Sequence, residues 1–264
     1  MTAAPDEEKK VYGPFKLYPN SGVNPHHSPA YPLEWDCTLR TVEVVTRVAP
    51  DKIAAMLEGS GFEPVNDRVA FRFMLSPGHT LSIPNGEMFD LMITVPVRYG
   101  DLYTQTHVYM YCSDAMGMAA GRELFGYNKK DCTYLFSEDP TGSVRGWVNR
   151  RGFQVAEYAF IPDPDAPLVR LVDADEQPSG EIHVRRLPHP ERPEPAYEDV
   201  VYRKTPLAYT DPIPGRIQMN LYSTVFDPVA DMEPEILGAH FMTSTVYAGG
   251  FDKEDRRLIK VLRP

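Results

Sequence analysis

Short runs in which apolar and polar residues alternate make up most of the chain. "RTVEVVTRV" (40–48), "VAFRFML" (69–75), "LMITVPVRY" (91–99), "YTQTHVYMYC" (103–112) and "GWVNRRGFQVAEYAFI" (146–161) are rich in Val, Thr, Tyr and Phe. Their partial period of two predicts strands with at least one buried face. "EIHVRRL" (181–187), "GRIQMNLYSTVF" (215–226) and "AHFMTSTVYAGGF" (239–251) read the same way. Helical spacing is confined to two places. "APDKIAAMLEGSGF" (49–62) sets Pro50 and Asp51 before Ile53, Met56 and Leu57 and ends on glycines, the order of start and stop signals a helix uses. "SDAMGMAAGRELFG" (113–126) opens on the capping candidates Ser113 and Asp114, and Gly117 and Gly121 weaken it.

The 26 prolines and 18 glycines are spread along the chain and disfavour a helical bundle. Many short strands with few helices predict an α+β protein, mainly antiparallel β, in which the sheet forms a closed or cone-like β-barrel, because closure removes exposed edges. The proline-rich, charged stretches "PDPDAPLVRLVDADEQPSG" and "PHPERPEPAYED" read as surface loops rather than linkers. A single domain over residues 1–264 is expected.

Composition narrows the class of partner. At 42% hydrophobic and 24% charged residues, with 15 Tyr and 12 Phe, the chain is globular. A formal net charge of -10 argues against nucleic acid, which requires a concentrated basic surface. Cys37, Cys112 and Cys132 are odd in number and widely spaced, which suggests neither a disulfide framework nor a zinc site. The polar start "MTAAPDEEKKVYGP" has no apolar core, and no run approaches the roughly 18 apolar residues of a membrane span. A cytoplasmic protein with no membrane partner is the expectation.

One stretch carries candidate chemistry. "GRELFGYNKKDC" (121–132) places Lys129 and Lys130 together in an acidic protein. By residue type alone the pair reads as a solvated basic turn at a helix end. As a nucleophile, one amine must be neutral, and at an ordinary pKa only about one lysine in two thousand is neutral at pH 7. Burial and a neighbouring cation both disfavour the ammonium form; Phe125 and Tyr127 can supply the apolar setting and Lys130 the cation.

"GRELFGYNKK" resembles the active-site signature of the acetoacetate decarboxylase family, in which Gly-Arg-Glu-Leu precedes a Tyr-Pro-Lys-Lys segment. "VPV" (95–97) is similar to the family's Ile-Pro-Val at the same spacing, and "EVVTRVAPDKI", "GRIQMNLYS" and "FMTSTVYAGG" extend the resemblance over most of residues 35–260. The resemblance implies that Lys129 forms an imine with a substrate ketone and that Lys130 helps to keep it neutral; activation of a lysine by a neighbouring cation is a known property of that family. It also implies that no cofactor is needed and that the chain forms a homo-oligomer. Adjacent strand residues point to opposite faces, so desolvation is expected to outweigh the like charge.

The family's acidic residue before Ile-Pro-Val falls on Asp90, one methylene shorter than the usual glutamate, with Glu87 as the alternative. Arg47 matches the family's pocket arginine, suited to a substrate carboxylate. Arg72 stands where the family often carries a second glutamate, and Asn128 replaces the proline before the lysines. Arg47, Arg72, Tyr127 and Asn128 are the expected substrate-binding residues, and Asp90 is expected to act with Lys129 and Lys130 in catalysis by moving protons. His26 and His27 lack ligand partners at metal spacing, His107 reads as a packed imidazole, Cys132 as a small buried hydrophobe, and Arg122 and Glu123 as structural. No phosphate-cradling or nucleotide motif is present. The expected activity is decarboxylation of a β-keto acid, or of a related oxo acid bulkier than acetoacetate, through an imine. The alternatives are a Schiff-base aldolase-dehydratase acting on pyruvate or a related oxo acid and a barrel that binds a small ligand without turnover.

Overall fold

A computed structural model describes residues 36–77, 87–173, 178, 180–188, 190, 191, 193, 195–203, 207–247 and 259–263. The candidates His26 and His27 lie outside these residues. In chain order the elements begin with β1 (Asp36–Arg47), α1 (Pro50–Met56), β2 (Glu63–Pro64), β3 (Arg68–Ser76), β4 (Met88–Tyr99) and β5 (Leu102–Cys112). There follow α2 (Ala115–Ala120), a single π-helical turn (Gly121–Phe125), β6 (Lys129–Asp131), β7 (Thr133–Glu138), β8 (Val144–Arg150) and β9 (Phe153–Pro162). The rest are β10 (Glu181–Pro188), β11 (Pro195–Arg203), β12 (Leu207–Tyr209), β13 (Ile213–Leu221), β14 (Ser223–Thr224), β15 (Asp227–Pro228), a 3-10 turn (Ala230–Met232), β16 (Glu235–Tyr247) and β17 (Ile259–Arg263).

Apart from the β14–β15 hairpin these strands form one mostly antiparallel sheet, in the order β17-β11-β10-β5-β4-β3-β1-β16-β13-β9-β8-β7, with β12 on β16, β2 on β4 and β6 on β5. The end strands β17 and β7 are not paired with each other. The barrel expected from the sequence is therefore not closed by hydrogen bonds among the described residues. Instead the edges branch: β5 pairs with β4 on one side, and its other side is shared between β10 and β6, both parallel to it.

Two elements depart from the alternation pattern for local reasons. Residues 146–161 form the facing halves of β8 and β9, because Arg151 (φ 50°) and Gly152 (φ 82°) both adopt left-handed backbone and reverse the chain, as a two-residue hairpin turn requires. Inside "PHPERPEPAYED", read as a loop, the C-terminal part enters β11 as far as Arg203, where Val200 and Val201 are buried. The second helix is only six residues, capped by the Asp114 carboxylate accepting from Gly117 N–H, before it widens into the π turn.

One face of the central strands is an apolar core, to which Val42, Phe71, Phe73, Leu91, Ile93 and Tyr111 contribute with no exposed surface. Phe73 on β3 stacks on Tyr158 of β9, with ring centroids 3.9 Å apart, and so joins the centre of the sheet to its far branch. The opposite face of the same strands is also largely buried, and there polar residues such as Glu43, Asp90 and Thr94 sit beside Met92 and Met110. Phe73→Ala is expected to destabilise the chain by about 3 to 5 kcal/mol through transfer and cavity terms, while Phe153→Ala, on an exposed aromatic, stays within about 0.5 kcal/mol. Urea unfolding of the two variants checks both; equal losses would show that the stack does not hold the branches together.

Candidate active site

The parallel addition of β6 to β5 decides where the lysines point. Met110 pairs with Lys129 and Tyr111 with Lys130, so the first lysine joins the polar face and the second the core side. On β4, antiparallel to β5, Asp90 pairs with Cys112 and Met92 with Met110. The Lys129 ammonium consequently meets the Asp90 carboxylate, with Nζ 3.0 Å from Oδ1, and lies 3.7 Å from Cys112 Sγ. Lys129 is only 7% exposed and Asp90 2%. Buried Met92, Met110 and Tyr127, with Met74 and Phe125 against them, make the apolar setting, and the Tyr127 ring centroid is 5.8 Å from Lys129 Nζ.

The motif supplies the space for this amine. A Cβ on Gly121 would come within 2.8 Å of Lys129 Cδ and 3.1 Å of the Tyr127 ring. The glycine that weakens the helix by propensity is thus the seat of the lysine stem. Gly126, at φ 75°, turns the chain out of the π turn towards β6, a conformation that costs glycine little.

The electrostatics differ from the expectation of a neutral amine. Burial alone pulls the Lys129 pKa down, but the Asp90 carboxylate, aided by Cys112, more than reverses this, so the ammonium form is held above the ordinary lysine value. The Cys112 thiol is pushed up to about 12, by burial first and then by Asp90, and stays protonated at neutral pH. Lys130 is not the cation that acts on Lys129. Its Nζ donates to Asp227 at 2.8 Å and to the Phe226 carbonyl at 2.7 Å, on the other face. Asp227, which no motif reveals, also accepts from Arg150 at 2.7 Å and from the Tyr111 hydroxyl at 3.1 Å. It brings β5, β6 and β8 together, and its carboxyl is held below the usual range because Lys130 and Arg150 outweigh the effect of burial.

The remaining candidates separate. Glu87 is exposed and accepts from the Tyr134 hydroxyl, so of the two candidate acids Asp90 is the one at Lys129. Arg72 lies on the polar face, in register with Met92, Met110 and Lys129 across four strands. Its Nε donates to buried Glu43 at 2.5 Å and its Nη1 to Gln105 at 3.2 Å. Glu43 is held low because Arg72 and His240 outweigh burial. Arg47 is not brought to this face: at the exposed end of β1, its side chain half accessible, it pairs with Glu235 at 3.0 Å and Asp67 at 3.1 Å. Asn128 turns to the backbone, and its amide donates to the Val108 carbonyl. Val108 is the extra residue of a bulge, since Ile93 pairs with Tyr109 and Thr94 with His107. That bulge puts His107 and Met110 on one face, which a period of two cannot anticipate.

The profile of the family described as "Acetoacetate decarboxylase (ADC)" matches residues 18–258. No curated protein sequence matches the chain. Among solved structures, the acetoacetate decarboxylase of Legionella pneumophila subsp. pneumophila str. Philadelphia 1 superposes with a TM-score of 0.69 at 16% identity, covering 86% of this chain and 88% of that one. An acetoacetate decarboxylase-like enzyme from Sphingomonas wittichii RW1 gives 0.69 at 16% identity over 84% and 92%. The enduracididine biosynthesis enzyme MppR, complexed with the condensation product of pyruvate and imidazole 4-carboxaldehyde, gives 0.68 at 17% identity over 87% and 89%. At these identities the likeness is one of fold. No described helix is long and apolar enough to cross a membrane.

Two expectations follow from the geometry. Asp90→Asn removes the charge that raises the Lys129 pKa and leaves burial less opposed, so the pH midpoint for acylation of Lys129 by a small amine-reactive acyl donor moves down; an unchanged midpoint would show that Asp90 does not control the proton. Lys130→Met leaves the Asp227 carboxylate with Arg150 and the Tyr111 hydroxyl and is expected to cost about 1 to 3 kcal/mol in chemical denaturation while leaving the Lys129 midpoint in place. A shift of that midpoint would restore Lys130 as its electrostatic partner.

Proposed function

Because the chain belongs to the acetoacetate decarboxylase family, we propose that it is a cofactor-independent lyase of a small oxo acid and that Lys129 is the amine that forms a Schiff base with the substrate. The observation that carries this reading is the buried Lys129–Asp90 pair set among apolar side chains. A solvated lysine has no need of such a seat. Residues 1–264 act as one domain in this reading, and the chain assembles as a homo-oligomer.

The chemistry starts from an ion pair rather than a free amine. Asp90 takes the ammonium proton as the oxo group of the substrate arrives, and the neutral amine adds to the carbonyl carbon. When the resulting carbinolamine loses water, Asp90 returns the proton, leaving a cationic imine beside an ionised aspartate. In a β-keto acid the bond between the α-carbon and the carboxylate then breaks. Its electron pair moves into the imine to give a neutral enamine, and carbon dioxide leaves. A solvent proton, relayed by Asp90, adds to the enamine carbon, and water hydrolyses the imine to release the ketone. The carboxylate loses its charge on the way to carbon dioxide, so the apolar wall of Met92, Met110 and Tyr127 favours the transition state over the bound anion. Arg72 on the same face is the cation suited to a further carboxylate.

The same cationic imine supports a second reaction. With pyruvate, loss of a methyl proton gives an enamine that adds to an aldehyde, and the carboxylate is kept. The family relative holding such a condensation product and the charge of Arg72 favour this reading. Borohydride reduction in the presence of acetoacetate or pyruvate is expected to fix the substrate carbon to Lys129 as a secondary amine, found by peptide mass mapping. Lys129→Ala is expected to lose turnover by roughly three orders of magnitude or more. Carbon dioxide release marks decarboxylation and a product of higher mass marks condensation. An adduct on another lysine, or reversible binding without any reducible adduct, would overturn the assignment.

A further inference from the structure

We propose a second site: a divalent transition-metal site of zinc's class formed by His107, Glu181 and His183 at the junction of β5 and β10. The three residues are buried, and each can offer one ligand atom such that all three atoms lie within 4.8 Å of one another. Ligands bound at roughly 2.0–2.2 Å from one ion sit about 3 to 3.5 Å apart, so closure asks only for small side-chain shifts.

The surroundings are compatible with a ligating pose for each group. Thr94 Oγ1 lies 2.9 Å from His107 Nδ1, and Thr106 Oγ1 lies 3.4 Å from His183 Nδ1. A hydroxyl accepting from Nδ1–H leaves the lone pair on Nε2, the arrangement that outer partners impose on metal-bound histidines. Neither Nε2 has a hydrogen-bond partner among the described residues, and His107 Nε2 is 3.3 Å from Glu181 Oε1. The other carboxylate oxygen, Oε2, accepts from the Tyr127 hydroxyl, with Arg203 Nη1 at 3.9 Å. Glu181 is thereby oriented with one oxygen towards Tyr127 and Arg203 and the other towards the imidazoles. Two imidazoles and a carboxylate form a donor set that suits zinc and its neighbours.

The location gives such an ion work to do. β10 joins β5 through a single register pair, Glu181 with Gln105, although β10 carries β11 and β17 with it. Ligands on both sides of that thin parallel seam clip it where the backbone does little, and binding free energy becomes folding free energy. The clip also reaches the lysine site. Tyr127, whose hydroxyl holds Glu181 and accepts from Arg203 at 2.8 Å, presents its ring to Lys129.

Full-length protein stripped with a chelator and titrated with Co2+ is expected to take up one equivalent per chain with visible d–d absorption, and Zn2+ to displace it. Saturating Zn2+ at about a hundredfold excess over Kd should raise Tm by roughly 5 °C. His107→Gln and His183→Gln should each lose the spectrum and the shift, whereas Lys129→Ala and a His26→Ala/His27→Ala double variant keep both. X-ray absorption of the zinc-loaded wild-type chain needs no variant to fold, and should give two imidazoles with the remaining ligands oxygen. No stoichiometric uptake by the wild type, sulfur in the metal shell, or binding that persists in both glutamine variants would overturn the proposal.

Discussion

The structure depends on the way one edge of β5 is divided. Its Gln105 pairs with β10, its last three residues pair with β6, and the bulge at Val108 lies between the two. The short parallel pairing with β6 sets Lys129 against Asp90 and Cys112; the single pairing with β10 brings Glu181 and His183 to His107. Asn128, whose amide satisfies the bulged carbonyl, occupies the gap. A central strand with continuous antiparallel neighbours would satisfy more backbone bonds, but it would leave no place where groups from three segments meet on a buried face.

That face sets the electrostatic problem of the molecule. Desolvating a charge is costly unless a partner is placed at hydrogen-bond distance, and the sheet answers with pairs: Glu43 with Arg72, Asp90 with Lys129, and Glu181 with His107, Tyr127 and Arg203. The lysine is therefore not starved of its proton by a neighbouring cation. Its charge is held by an acid within reach, so the proton can move between the two groups without crossing water. Lys130, adjacent in sequence, serves another purpose, tying β6 to the β14–β15 hairpin through Asp227.

Much of this was legible in the residues. Alternation located most of the strands, and the two helices start where Pro50 and the Asp114 cap put them, because such signals are local. The acetoacetate decarboxylase signature located Lys129, and counting back from it reached Asp90. Local signals failed where the chain's course depends on a turn or a distant partner: the hairpin at Arg151 and Gly152, the passage of a proline-rich stretch into β11, and the short reach of α2. Arg47 matched the family by position alone, yet Asp67 and Glu235 hold it at an exposed strand end.

The sequence by itself determined the class of the chain, its strand-rich character, its family and the lysine proposed for the site, since these follow from periodicity, composition and a contiguous motif. Only the tertiary structure decided which carboxylate meets that lysine, which way Lys130 points, that the sheet is branched rather than closed by hydrogen bonds, and that His107 faces Glu181 and His183. Those outcomes rest on register, a one-residue bulge and pairing between segments far apart in the chain. A side chain's face changes with every single-residue slip of register, and no local pattern records the slip.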